Sequence, residues 1–228
     1  MKYELVKDDF IIVEDDIKLY RIKALKSFNH IQKGQLGGYI ESEYNLSQHS
    51  DCWVYKDAKV YGDAKVYGNA KVYGNAEVYG YAEVYGYAEV CGNAKAYGNA
   101  EVYGYAEVYG NTKVFGNAEV YGNAKVYGYA EVFGDAKVFG NTEVYGYAEV
   151  KSKNDIITIS NIGSRNSTTT FFRSKDNHIY VSCGCFYGNI KEFEEKVKNT
   201  HKGNKHEEIY LKVIELAKLQ ICGIVQNV

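Results

Sequence analysis

The stretch from Val54 to Val150 decides the fold, and residues 64–81 within it read AKVYGN-AKVYGN-AEVYGY. An aliphatic residue recurs at every sixth position, which gives 17 consecutive hexads with no insertion, and only Ala96 interrupts the valine column. Perfect repetition at so short a period predicts a solenoid, because each unit can bury its apolar face only against its neighbours. A globular fold with a single core is excluded for this segment.

Each hexad combines a strand pattern with a turn signal. In Ala64-Lys65-Val66-Tyr67 the alternation has period two, so Ala64 and Val66 point to one side of a four-residue strand and Lys65 and Tyr67 to the other. The small and aliphatic residues are expected inside. Gly68 and Asn69 tolerate a turn with positive φ. Three strands and three turns are therefore predicted to close a triangular coil of three hexads.

These hexads resemble those of the hexapeptide-repeat proteins, which place an aliphatic residue in every unit and a small residue two positions before it. The resemblance implies a mainly β fold, a single-stranded left-handed parallel β-helix. Seventeen hexads then make between five and six coils. The handedness comes from the resemblance and not from the spacing.

Aromatic side chains form a column on each of the three predicted faces, with successive members three hexads apart. Stacked rings at coil spacing stabilise a parallel β-helix. Contiguous exposed aromatic area is also typical of an interface, which predicts a homo-oligomer. The columns are Tyr55, Tyr73, Cys91, Tyr109, Tyr127 and Tyr145; Tyr61, Tyr79, Tyr97, Phe115 and Phe133; and Tyr67, Tyr85, Tyr103, Tyr121 and Phe139.

The flanks of the repeat differ from it in composition. Residues 1–50 carry two strand patterns and are predicted to form an N-terminal β cap, with Gly34–Gly38 as a loop that enters the solenoid at residues 51–152. Residues 153–228 are predicted to form a small α+β domain of short strands followed by two helices, the first opened by a capping box of Asn189 and Glu192.

Charge and patterning limit the function classes. The net charge of −2 argues against general nucleic-acid binding, and with no signal peptide or long apolar run the protein is expected to be cytoplasmic and not membrane-bound. Residues 151–228 carry a charge of +4 and residues 54–150 a charge of −4. The repeats contain no histidine, which disfavours acyl transfer and a histidine-bound zinc in the coils.

The C-terminal segment contains the groups that suit a small anion. Arginine offers bidentate charge-assisted contacts, and hydroxyls and loop amides can complete the shell around a phosphate or carboxylate. A polar Ser/Thr-rich hairpin with no ligand is the alternative. The CxC motif alone is weak evidence for a metal, and no metal or cofactor is predicted. The candidate ligand-binding residues are Ser164, Arg165, Thr168, Thr170, Arg173, Cys183, Cys185 and His201.

The segments at 37–47, 162–165, 183–189 and 192–201 resemble phage and prophage hexapeptide-repeat proteins related to YdcK-type transferases. That resemblance implies a three-part layout and an origin in a mobile element, and it marks Ser164, Arg165, Cys183, Cys185 and His201. It implies no particular reaction. Three functions remain open: a binding protein for a nucleotide-like anion that sequesters a host immune signal, an acyltransferase-like enzyme or small hydrolase using His201, and a structural rod for protein interaction.

Overall fold

A computed structural model of the chain describes residues 1–222, and the fold is mainly β. Its centre is a β-solenoid of about six turns built from 17 two-residue strands. These strands are β4 (Trp53–Val54), β5 (Lys59–Val60), β6 (Lys65–Val66), β7 (Lys71–Val72), β8 (Glu77–Val78), β9 (Glu83–Val84), β10 (Glu89–Val90), β11 (Lys95–Ala96), β12 (Glu101–Val102), β13 (Glu107–Val108), β14 (Lys113–Val114), β15 (Glu119–Val120), β16 (Lys125–Val126), β17 (Glu131–Val132), β18 (Lys137–Val138), β19 (Glu143–Val144) and β20 (Glu149–Val150).

Each solenoid strand from β4 to β17 pairs in parallel with the strand three hexads further along, so three sheets run the length of the solenoid. Lys65 pairs with Glu83 and Val66 with Val84, and the same register repeats in each coil. The predicted coil of three hexads is confirmed. The strands are two residues long and not the four expected, and the turn lies at the glycine and the residue that follows it, as at Gly68 and Asn69.

Hydrogen bonding between coils nevertheless extends beyond the strands into the turns. The amide of Lys65 donates to the carbonyl of Ala82 at 2.9 Å, Tyr67 donates to Val84 at 3.1 Å, and Asn69 donates to Gly86 at 2.6 Å. Three of the six amides of a hexad therefore bind the next coil. The turn between two strands is part of the ladder and not a free loop.

The interior of the solenoid is dry and made of small side chains. The alanine and valine columns have no solvent exposure along the whole repeat. Thr112 and Thr142 stand in the alanine column, and their hydroxyls donate to the carbonyls of Tyr109 at 2.8 Å and Phe139 at 2.6 Å. A local backbone acceptor lets these two hydroxyls be buried at little cost.

On the outside, rings and charges stack coil upon coil. The centroids of Tyr85 and Tyr103 lie 4.9 Å apart with their planes 2° from parallel. The Tyr85 hydroxyl donates to Glu101 at 2.8 Å, and Tyr103 donates to Glu119 at 3.2 Å. Each tyrosine thus offers a donor to a carboxylate of the next coil. These bonds offset the repulsion between glutamates that follow one another on this face.

The N-terminal strands are β1 (Tyr3–Ile12), β2 (Lys18–Ala24) and β3 (Leu36–Ile40), and they continue one of the solenoid sheets. The segment Gly34–Gly38 was expected as a loop, but its second half belongs to β3, which pairs in parallel with β5. A Cβ at Gly37 would lie 2.5 Å from Ile22, and one at Gly38 would lie 2.5 Å from the carbonyl of Ala58. The glycines allow this close approach.

The C-terminal segment contains a four-stranded antiparallel sheet, which we call the terminal sheet, and two helices. Its strands are β21 (Ile156–Ile162), β22 (Ser167–Arg173), β23 (Ile179–Cys183) and β24 (Phe186–Asn189), and the helices are α1 (Ile190–Thr200) and α2 (Lys205–Ala217). The predicted capping box opens α1. Side chains such as Phe172 join the solenoid core, whereas Phe171 packs with the helices. The terminal sheet therefore separates the coils from α1 and α2.

The turn glycines generate a stability prediction. Gly122 and Gly140 both have positive φ, 73° and 69°, but a Cβ on Gly122 would lie 2.9 Å from the amide nitrogen of Gly140 whereas Gly140 faces open space. Both alanine variants bear the cost of the left-handed backbone. We expect Gly122→Ala to lower the free energy of unfolding by at least about 1 kcal/mol more than Gly140→Ala does. The difference corresponds to the cost of overpacking, which only the Gly122 variant bears. Equal losses in chemical denaturation would contradict the proposed coil-to-coil contact.

Candidate functional site

Two tight turns at the same end of the terminal sheet, one joining β21 to β22 and the other joining β23 to β24, bring four of the candidate residues together. Ser164 and Arg165 lie in the turn between β21 and β22, where Gly163 has a φ of 73°. Cys183 is the last residue of β23, and Cys185 is the second residue of the two-residue loop between β23 and β24. The first loop residue, Gly184, has a φ of 59°, and the common two-residue hairpin loops require a positive φ at this first position.

These turns and the first helix enclose a cavity of about 200 Å³, which we call the C-terminal cavity. The helix α1 contributes its C-terminal half, and His201 follows at its end. Five of the eight candidate residues line the cavity: Ser164, Arg165, Cys183, Cys185 and His201. Its other lining residues are Ser167, Gly184, Phe193, Lys196, Val197, Thr200 and Tyr210.

The C-terminal cavity combines cations with an apolar wall. Arg165 and Lys196 are exposed and line it, and no carboxylate stands among the described residues that do so. Phe193 and Val197 are buried at 3% exposure and form its apolar part. The cavity therefore presents positive charge beside apolar surface, an arrangement that suits an anion attached to a ring.

The Cys183 thiol lies close to two hydroxyls, those of Tyr210 and Thr169. The Tyr210 hydroxyl oxygen lies 3.6 Å from the Cys183 sulfur, and Thr169 donates to the same sulfur at 3.1 Å. Burial, with a smaller contribution from Cys183, raises the pKa of Tyr210 to about 12. The Tyr210 hydroxyl therefore stays protonated at neutral pH. The ring of His201 lies 5.7 Å from that of Tyr210, with the planes 26° apart.

Thr168 and Thr170 do not reach the C-terminal cavity. Both lie on the opposite face of β22, which looks toward the coils, and they line a separate depression of about 300 Å³ together with Glu143. A carboxylate disfavours an anion at that position. Successive residues of a strand point to opposite faces, and this alternation separates the two threonines from Thr169. Ser167, at the start of β22, lines both the depression and the C-terminal cavity.

Arg173 is also away from the cavity and is engaged elsewhere. Its Nε donates to Asp155 at 2.6 Å, and its Nη2 donates to the carbonyl of Ile221. Both ionic side chains are more than nine-tenths buried. This pair joins β22 to the turn before β21 and to the chain after α2, so the structure gives Arg173 a role in packing the helices.

Sequence reasoning missed Lys196 of α1 and Tyr210 of α2 as cavity residues. Lys196 lies three residues after Phe193 on α1, which places both on one side of the helix. That spacing was a usable signal. Tyr210 has the spacing of the apolar residues Ile214 and Ala217 on α2, and nothing in the sequence alone sets its distance from Cys183.

The chain is thus a β-solenoid protein with a C-terminal cavity that two hairpin turns and two helices line. No family model matches it, and no curated protein matches it significantly. Within residues 1–222 no helix is long and apolar enough to span a membrane. The same part of the chain contains no group of three or more His, Cys, Asp or Glu side chains placed to hold a metal.

The two arginines generate opposite predictions. Arg173→Met leaves Asp155 buried without its counter-ion, and we expect it to lower the free energy of unfolding by about 3–5 kcal/mol. Arg165→Met changes an exposed residue, and we expect a change within about 0.5 kcal/mol. Chemical denaturation of both variants measures the difference. A mild effect of Arg173→Met would contradict its role as a buried ion pair.

Glu194 generates a pH prediction for the helices around the cavity. It accepts from Lys198 at 2.6 Å and from Lys218 at 2.8 Å, and these bonds lower its pKa to about 2. Its stabilising contribution is therefore present above pH 4.5 and is lost as the pH falls toward 2. Exposed pairs contribute little, so we expect Glu194→Gln to cost about 1 kcal/mol at pH 7.

The cost of Glu194→Gln should disappear at pH 2 in thermal melts. Glu195→Gln is the matched control, because Glu195 is exposed and forms no ion pair within residues 1–222. The remaining carboxylates titrate alike in the wild type and in both variants and cancel in the comparison. A pH-independent difference between wild type and Glu194→Gln would contradict the ion-pair origin of the effect.

Proposed function

We propose that the protein is a binding protein whose C-terminal cavity takes a small anionic, nucleotide-like ligand. The observation that carries the proposal is the convergence of Arg165 and Lys196 on one apolar-walled cavity lined by no described carboxylate. Charge-assisted contacts to arginine are the stronger kind of hydrogen bond, and they are shorter than neutral ones. Ser164 and Ser167 supply hydroxyls beside the guanidinium.

The size and polarity of the cavity narrow the ligand class. A volume of about 200 Å³ lies below the range of about 300–1,000 Å³ typical of sites that enclose a whole drug-sized ligand. The cavity therefore takes one part of a nucleotide and leaves the rest at the surface. We place the anionic group beside Arg165 and Lys196 and not beside Thr200, where the C-terminus of α1 carries partial negative charge.

An enzyme using His201 is the alternative that the cavity also accommodates. General base catalysis needs the imidazole within hydrogen-bond reach of the group it deprotonates. Among the described residues, the imidazole of His201 stacks on Tyr210 and lies at 58° to the ring of His206, but it makes no hydrogen bond to a thiol or hydroxyl. We therefore favour binding over acyl transfer or hydrolysis.

A rod for protein interaction is favoured by a different observation, the exposed tyrosines of the turns. Tyr87 and Tyr105 are 54% and 61% exposed, and their rings stack 5.0 Å apart. Exposed aromatic area of this kind is enriched at interfaces. We propose that such a face mediates homo-oligomerisation, which is compatible with a ligand in the C-terminal cavity. If partner binding is the sole activity, variants on this face abolish it and Arg165 variants do not.

We further propose a left-handed β-helix with a cap at each end. The N-terminal cap is supported by Asn45, whose side-chain amide donates to the first-coil carbonyls of Gly62 at 2.9 Å and Ala64 at 3.0 Å. The C-terminal cap is supported by the ring of Tyr187, which stacks 4.3 Å from Tyr145 on the last coil. In a phage-encoded protein in the host cytoplasm, this architecture would suit the sequestration of a nucleotide immune signal.

Native mass spectrometry of protein purified from cells tests both proposals, because spectra before and after denaturation report subunit number and any retained small molecule. Isothermal titration with AMP then tests the site, with adenosine and orthophosphate as partial ligands. We expect AMP to bind more tightly than either. Arg165→Met should weaken AMP binding by about 10- to 100-fold, the loss of one or two charge-assisted bonds.

The matched control is Lys191→Met, which removes an exposed lysine of α1 outside the cavity lining. Its affinity for AMP should equal that of the wild type. Equal AMP affinity in the Arg165→Met variant would contradict the site assignment. Absence of both a retained mass and saturable AMP binding would contradict a nucleotide ligand of this class.

A further inference from the structure

The aromatic ladder that contains Tyr73 is interrupted on both sides of this residue. Elsewhere on the three faces, neighbouring rings lie almost parallel, as in Tyr79 and Tyr97, which are 4.9 Å apart and 2° from parallel. Tyr55 and Tyr73 instead meet edge to face, with centroids 6.2 Å apart and planes at 80°. On the other side the ladder position is occupied by Cys91. Within residues 1–222, Tyr73 therefore has no parallel ring on either face.

A cleft of about 420 Å³ lies beside these two rings, and we call it the tyrosine cleft. Its volume is within the range of about 300–1,000 Å³ that small-molecule sites occupy. It belongs to the first coils of the solenoid, at the opposite end from the C-terminal cavity. The lining residues are Tyr55, Lys56, Asp57, Lys71, Tyr73, Gly74, Asn75 and Glu89.

The backbone is strained at this cleft in one specific position. Lys56 occupies the turn position that is glycine in the hexads that follow, and it adopts a φ of 38°. A lysine in this left-handed region costs free energy that glycine would not, and such strain is concentrated at functional sites. Arg21 supports the turn by donating to the Lys56 carbonyl at 3.4 Å. A lysine therefore lines the cleft at a position where glycine would relax the backbone.

The charges inside the cleft are largely satisfied by one another. Glu89 accepts from Lys71 at 2.8 Å through one carboxylate oxygen and from Tyr73 at 2.7 Å through the other. Asp57 is exposed beside Lys56 and balances its charge. A charged ligand would have to compete with these pairs, whereas an uncharged ring would not.

We propose that the tyrosine cleft binds an uncharged planar aromatic molecule, which stacks in parallel on Tyr73 as an additional member of the ladder and meets Tyr55 edge to face. The stacked pairs on the same solenoid demonstrate that its tyrosine faces accept a parallel ring at 4.6–5.0 Å. Offset stacking is the favoured geometry between aromatic rings. Lys56 also lines the cleft, and we expect its ammonium group to favour an aromatic ring over a saturated one of equal size.

The test uses 2-naphthol as the probe and fluorescence anisotropy of the full-length protein as the measurement. Decahydro-2-naphthol, the saturated analogue, has the same carbon skeleton and hydroxyl group but offers no aromatic ring face. We expect saturable binding of 2-naphthol that the saturated analogue does not displace. Tyr73→Ser should weaken binding by roughly tenfold or more, since it removes both the ring face and its apolar area.

Tyr109→Ser is the matched control, because Tyr109 belongs to the same column but stacks on Tyr127 at 4.8 Å outside the cleft. It should bind the probe as the wild type does. Cys91→Tyr places a ring on the far side of Tyr73 and should leave binding intact. Absence of saturable binding, displacement by the saturated analogue, equal losses in both serine variants, or loss of binding in Cys91→Tyr would each overturn the proposal.

Discussion

The hydrogen bonds between coils are the constraint on which the structure depends. The hexads whose turns run from Asn69 to Tyr129 donate both from the strand and from the turn to the hexad three units later, as Asn69 does to Gly86. The turn backbones of successive coils therefore lie close together, and from Gly62 to Gly128 a Cβ on the turn glycine would lie 2.9–3.2 Å from the next coil. The interior alanines and valines, the stacked rings and the paired charges all occupy positions that this spacing fixes.

The repeat made the solenoid predictable because its information is redundant. Seventeen units place the same residue types at the same positions, so the period survives exceptions such as Ala96 and the two buried threonines. Strand length was less accessible, because the ladder continues through the turns and local alternation cannot reveal where pairing ends. The role of Gly37 and Gly38 was hidden for a related reason. Their small size serves contacts with Ile22 and Ala58, which are distant in sequence.

The C-terminal cavity was only partly predictable. Composition pointed to the two turns that contain Arg165 and Cys185, because turn residues and hydroxyls are local signals. The alternation of side chains along a strand predicts from sequence alone that Thr168 and Thr170 lie on the opposite face of β22 from its odd-numbered residues. This alternation was therefore a usable signal that the eight candidate residues do not form one site. The contacts of Arg173 could not be predicted from sequence, because its partners Asp155 and Ile221 are both distant from it along the chain. An arginine beside a hydroxyl-rich strand is equally compatible with a ligand and with a buried ion pair.

The coil register has a geometric consequence for the two ends of the molecule. Parallel strands repeat about every 4.8 Å along the solenoid axis, and three hexads complete one coil. Gain or loss of three hexads would therefore change the separation of the tyrosine cleft and the C-terminal cavity by a single axial step while preserving their relative orientation. Gain or loss of a single hexad would instead rotate the terminal sheet by a third of a turn. The number of hexads thus sets both the distance between the two sites and their relative orientation. Changes in steps of three hexads alter the distance alone, whereas changes in single hexads also alter the orientation.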